Sequence, residues 1–69
     1  MKQQFRRELS WMKIGDTCVV SGWGYMNKYF NNTEGRIYDL AEEGVNRPIT
    51  VEFEDGYIDC FTVQQITMK

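Results

Sequence analysis

The side chains that could do chemistry fall into three groups. The first is carboxylates. Glu42 and Glu43 are adjacent, and Glu52, Glu54 and Asp55 lie within four positions. Such pairs can divide acid and base roles when a pocket drives their pKa values apart. The usual proton carrier is absent, because the chain has no His. Ser10 and Ser21 are the only serines, and neither has the surroundings of a nucleophile elbow. Cys18 and Cys60 are the only cysteines. Two thiols without a His do not complete a standard structural zinc site in one chain. A chain of 69 residues leaves little room for a reaction pocket. We therefore expect no catalytic residues, no metal and no cofactor. Glu52, Glu54 and Asp55 then read as a solvated strand face and turn.

The second group is aromatic. Trp23, Tyr25, Tyr29 and Phe30 fall within eight positions, among Gly22, Gly24 and Asn31-Asn32. Tyr and Trp give large contact area at low entropic cost, so this cluster suits recognition of a partner. It could equally stack unpaired bases, with Lys28 near the phosphates. The structural alternative is that one or two rings fold down to cap a thin core. For Trp23 we expect burial. The third group is basic: Lys2, Arg6, Arg7, Lys13 and Lys28, all in the first 33 residues. Residues 34–59 carry eight acids against Arg36 and Arg47. This segregation hides behind a net charge of −2. General nucleic-acid binders are usually basic overall, and this chain is not.

The elements that position these groups are strands. Ile49, Val51 and Phe53 alternate with Thr50, Glu52 and Glu54, the period of a half-buried strand. Asp55-Gly56 follows, a hairpin signal between β-rich runs. Tyr57 to Val63 resumes with aromatic and β-branched residues. Gly15-Asp16 opens an earlier strand in which Cys18 and Val20 share a face. Residues 21–35 read as a long loop by their Gly and Asn content. Ile37 marks the next strand, and residues 41–48 a second loop ending at Pro48. Thr62 to Gln65 read as one tight turn that delivers Ile66 into a last strand. The expected strands are 13–20, 35–41, 48–54, 57–62 and 65–68. An all-β barrel closed by these five strands would leave no exposed edges, with Cys18, Val20, Ile37, Val51, Phe53, Phe61 and Ile66 inside.

Residues 1–12 read as either a short amphipathic helix, with Phe5, Leu9 and Met12 on one face, or a frayed basic tail. Residues 13–69 form the single domain. A composition of 42% apolar and 14% aromatic residues supplies a core at a length where burial is otherwise thin. No apolar run reaches the roughly 18 residues of a membrane span, and Met1-Lys2 leads into no secretory pattern. We expect a complete small protein, free thiols and a reducing, cytoplasmic setting.

The order Gly15-Asp16-x-Cys18-x-Val20, Gly35-x-Ile37, Val51-x-Phe53-x-Asp55-Gly56, then Phe61 and Ile66 resembles the SH3-like small barrels, in particular their KOW and Tudor branches. The resemblance covers about residues 13–68. It implies a five-stranded SH3-like barrel and a binding module without chemistry of its own. KOW relatives bind RNA, ribosomes or RNA polymerase. Tudor relatives read methylated side chains, and SH3 domains read Pro-rich peptides. The residues that carry those functions have no counterparts here. The fold hosts many activities, so the expected site comes from the residues themselves. We expect a protein partner to be bound by Tyr25, Lys28, Tyr29 and Phe30, flanked by Glu42, Glu43, Glu52 and Glu54. By analogy, such stand-alone barrels suit phage- or mobile-element-encoded modulators of a host complex. The alternative is RNA or single-stranded DNA held by Lys2, Arg6, Arg7, Lys13 and Lys28. The expected assembly is a monomer or a weak homodimer through an edge strand, with no membrane involved.

Overall fold

The computed structural model describes residues 11–41 and 44–69. Five strands follow in order: β1 (Thr17–Trp23), β2 (Tyr29–Leu40), β3 (Ile49–Phe53), β4 (Ile58–Phe61) and β5 (Ile66–Met68). A one-turn 3₁₀ segment, Val63–Gln65, precedes β5, where the tight turn was expected. The strands form one antiparallel sheet in the order β4-β3-β2-β1-β5.

Three expectations are corrected. The sheet does not close into a barrel, because β4 and β5 remain its two edges. Residues 21–35 are also not a loop. β1 continues to Trp23 and β2 begins at Tyr29, so only 24–28 turn. Gly22, Asn31, Asn32 and Gly35, which suggested a loop, are absorbed by the two strands, and only Gly24 and Asn27 remain in the turn. Pairing slips between Val20 and Gly22, where Ser21 faces Asn31 and Asn32 across a bulge. The first strand starts later than residue 13, because residues 13–16 form the turn that the Gly-Asp pair signalled, with Asp16 N donating to Lys13 O at 3.0 Å.

β2 is twice the usual strand length because it serves two partners. Its first part pairs with β1 and its last part with β3, and Gly35 and Arg36 pair with both. A Cβ on Gly35 would lie 2.6 Å from Val51 Cγ1 and 3.1 Å from the carbonyl oxygen of Glu52. Only glycine lets the strands approach this closely.

The residues expected inside are all buried, and Met12, Phe30 and Ile49 join them. Phe30 stacks on Phe53 with ring centres 4.5 Å apart, and Phe61 meets both edge-on. Offset and edge-on arrangements are the favoured geometries for aromatic rings. At the β3–β4 turn Gly56 N donates to Phe53 O and Phe53 N to Tyr57 O, both at 2.8 Å. The helix-or-tail reading of residues 1–12 lies outside the described residues except for Trp11 and the buried Met12.

Gly35→Ala is expected to lower stability by about 1–3 kcal/mol, the usual cost of forcing a methyl into a packed site. Chemical denaturation measures this. An unchanged midpoint would mean that the packing of β2 on β3 does not need the close approach.

Candidate functional site

The tip of the β1–β2 hairpin is built by short-range bonds. Gly24 N donates to Lys28 O at 2.9 Å, and Asn27 N donates to Gly24 O at 3.0 Å, with Asn27 at φ 66°. Asn tolerates this left-handed conformation better than most residues. The tip is then fastened to the far edge strand. Tyr25 N donates to Cys60 O at 3.2 Å. Met26 N lies 3.1 and 3.3 Å from the two carboxylate oxygens of Asp59.

Asp59 is the one buried charged residue among those described, at 3% exposure. A buried carboxylate needs donors on each oxygen. Cys60 N gives one at 2.7 Å, and the Tyr57 hydroxyl gives another at 3.3 Å. Gly24 faces this carboxylate so closely that a Cβ there would collide with Asp59 Oδ2.

Two further side chains hold the root of the hairpin. Gln65 Nε2 donates to Trp23 O at 2.8 Å and to Ser21 O at 3.2 Å. Its Oε1 accepts from Thr62 N at 2.9 Å. Arg47 Nη1 reaches Trp23 O at 3.1 Å, Gln65 Oε1 at 3.2 Å and Cys60 O at 3.4 Å. Arg47, Gln65 and Asp59 therefore bridge the opening that β4 and β5 leave unpaired.

This framework presents an apolar surface to solvent. Tyr25 is 71% exposed and Trp23 54%, with Met26 and Tyr29 exposed beside them. Trp23 and Tyr29 make an edge-on pair with centres 5.2 Å apart. The expected burial of Trp23 is thus overturned. Its position at the end of β1 places it beyond the bulge, where the side chain points outward. Phe30 is the converse. Expected in the partner-binding set, it is only 4% exposed and belongs to the core. Of the rings in the cluster, one folds inward and three stay out. Met26 and Asp59 escaped the sequence reading. The acidic band hid Asp59, although its place between Ile58 and Phe61 on an alternating strand was a usable signal.

Lys28 is drawn back over the sheet. Its ammonium lies 4.4 Å from the Tyr57 ring centre and 5.4 Å from that of Phe30. Glu52 and Glu54 are exposed on and just beyond β3, where both line a shallow groove across β2 and β3, away from the hairpin tip. Glu42 and Glu43 lie outside the described residues, as do Lys2, Arg6 and Arg7. Lys13 lies in the turn before β1, at the other end of that strand from the hairpin tip. The candidate cations that are described are therefore not gathered into one patch.

Both cysteines are free. Burial pushes the Cys18 thiol from 9.0 up to about 11, helped by the negative charge of Glu34. The thiol stays protonated at neutral pH, so it is a core group and no nucleophile. The Tyr57 phenol is also raised, by desolvation, by the charge of Asp59 and the hydrogen bond to it, and by Asp55. Among the described residues, no three His, Cys, Asp or Glu side chains are placed to hold a metal ion. No helix among them is long and apolar enough to cross a membrane.

The fold and surface define a small, mainly β domain with a braced aromatic hairpin. No protein-family profile matches the chain. It is similar to part of a probable cytosol aminopeptidase of Corynebacterium efficiens, at 38% identity over 56 residues. That alignment covers 81% of this chain and 11% of the aminopeptidase, so the chain spans about a tenth of that protein's length.

Two measurements check this geometry. Asp59→Ala leaves the Met26 and Cys60 amides without their acceptor, and is expected to cost about 1–3 kcal/mol. A loss below about 0.5 kcal/mol, typical of a neutral surface change, would contradict the bracing role. The second is pH dependence. The raised Cys18 pKa means that the unfolded chain loses this proton first. Its stability contribution is whole below 9.0 and is lost as pH rises toward about 11. Cys18→Ala is expected to flatten that part of the stability profile; an unaltered slope would contradict burial of the thiol.

Proposed function

We propose that this chain is a non-enzymatic binding module of the SH3-like small-barrel type, left open between its edge strands, and that it recognises a protein through the hairpin surface of Trp23, Tyr25, Met26 and Tyr29. One observation supports this above the others. Four large apolar side chains stand in solvent on one short hairpin whose backbone is bonded to three other elements. Exposed apolar clusters of this kind mark interaction sites, and a braced backbone lowers the entropy lost on binding. The order β5-β1-β2-β3-β4 with a 3₁₀ turn before β5 fits the small-barrel reading.

The similarity to a tenth of an aminopeptidase does not lead us to a peptidase activity. The side chains at the hairpin recognise rather than react. The RNA or single-stranded DNA alternative receives less support, because Lys28 is turned onto Tyr57 and Lys13 lies at the other end of β1.

Tyr25→Ala with Tyr29→Ala is expected to abolish capture of a protein partner from the native host and to cost less than about 1 kcal/mol of stability. Capture at wild-type level by a folded double variant would reject the hairpin as the site. Salt-sensitive binding of single-stranded nucleic acid, lost in the same variant, would favour the alternative.

A further inference from the structure

A groove of about 540 Å³ lies between the start of β2 and the β3–β4 turn. Tyr57 and the edges of Phe30 and Phe53 wall it, and Glu54 and Asp55 stand on its rim. It shares Glu34, Phe53 and Glu54 with a second groove of about 530 Å³. That second groove continues past Gly35 to Glu52 and Arg36. Together they form one trough across β2 and β3.

The trough is aromatic below and mainly acidic above. Lys69 takes Glu34 at 3.1 Å. Glu52, Glu54 and Asp55 have no cation within ion-pair distance among the described residues. Arg36, opposite Glu52 in the ladder, offsets part of this charge. One cation already sits inside: the Lys28 ammonium, 4.4 Å from the centre of Tyr57. The Tyr57 hydroxyl donates to Asp59, which fixes the ring. An ammonium over an aromatic face is held by the ring quadrupole. A surface lysine on a flexible stem also gives up such a place easily.

We propose that this trough docks an extended, Lys- or Arg-rich segment of the protein partner, and that Lys28 is an internal stand-in which the partner's cation displaces. The proposal rests on the protein-recognition reading above and adds the partner's chemistry. Three features carry it together: an aromatic seat shown to accept a cation, a rim whose Glu52, Glu54 and Asp55 have no cation at ion-pair distance among the described residues, and two adjoining grooves of about 540 and 530 Å³. Complementary charge sets partner choice and association rate. The displaced lysine makes the seat selective, because only a better-held cation replaces it.

The test uses the full chain and a fluorescein-labelled Arg-Ser repeat peptide, followed by anisotropy at low salt. The peptide is expected to bind, and binding is expected to weaken at higher salt as screening shortens the reach of the rim charges. Lys28→Ala is expected to tighten binding several-fold. Lys13→Ala removes the same charge away from the trough and is expected to tighten it much less. Tyr57→Leu is expected to weaken binding about two- to fivefold, the worth of a partly exposed cation–π contact. Glu54→Gln, an exposed change, guards against misfolding of the Tyr57 variant and is expected to weaken binding as well. Equal effects of the two lysine variants, or wild-type binding by Glu54→Gln, would overturn the proposal. So would preference for single-stranded DNA over the peptide. If the peptide fails while partner capture still depends on Tyr25 and Tyr29, the trough falls and the hairpin reading stands. If the peptide behaves as stated and capture ignores those tyrosines, the trough stands and the hairpin reading falls.

Discussion

One buried carboxylate organises the functional end of this molecule. Asp59 lies on an edge strand, yet it is almost wholly shielded and collects donors from the hairpin tip, its own strand and Tyr57. A charge in such a place is stable only because each oxygen is bonded. Its position ties two elements that no backbone ladder joins. The open side of the sheet, between β4 and β5, is bridged by the Tyr25–Cys60 backbone bond and by three side chains: Asp59 at the tip, Arg47 and Gln65 at the root. A small domain with a thin core gains rigidity from such cross-links where strand pairing stops.

The same bracing explains what is exposed. Bonds to Trp23 O, Tyr25 N and Met26 N are all to backbone. They fix the path of the hairpin and leave its side chains free. Trp23, Tyr25, Met26 and Tyr29 then project from a fixed support. Phe30, the next residue in β2, is turned to the other face and locks the strand into the Phe53–Phe61 cluster. The alternation of β2 thus separates recognition from stability at adjacent positions. Behind the hairpin, Tyr57 joins the two surfaces: its hydroxyl serves Asp59 and its ring carries Lys28.

Much of this was written plainly in the residues, and the rest was hidden for definable reasons. The alternation of Ile49, Val51 and Phe53, the Asp55-Gly56 turn and the turn before Ile66 all announced themselves, because each is a local pattern with one strong solution. The stretch from Ser21 to Gly35 misled, because Gly and Asn mark bulges inside strands as well as loops between them. That error left Trp23 to fold inward as a cap and Phe30 to stay outward as a contact, since a loop carries no alternation that assigns faces. Closure of the barrel was inferred from the cost of free edges. The chain answers that cost with Arg47, Gln65 and Asp59 instead, and long-range bonds from single side chains to distant backbone leave no periodic trace in sequence. The two surfaces were each half visible. The aromatic cluster was evident, whereas the seat of Lys28 on Tyr57 depends on residues 29 positions apart.

The central claim is that the aromatic hairpin is a preformed, rigid surface held by its bonds to Asp59, Gln65 and Arg47. Backbone ¹⁵N relaxation of the free protein tests it most directly. The account predicts order parameters at Tyr25 and Met26 near those of the strands, about 0.85. Values below about 0.6 at these positions, beside rigid strands, would contradict it.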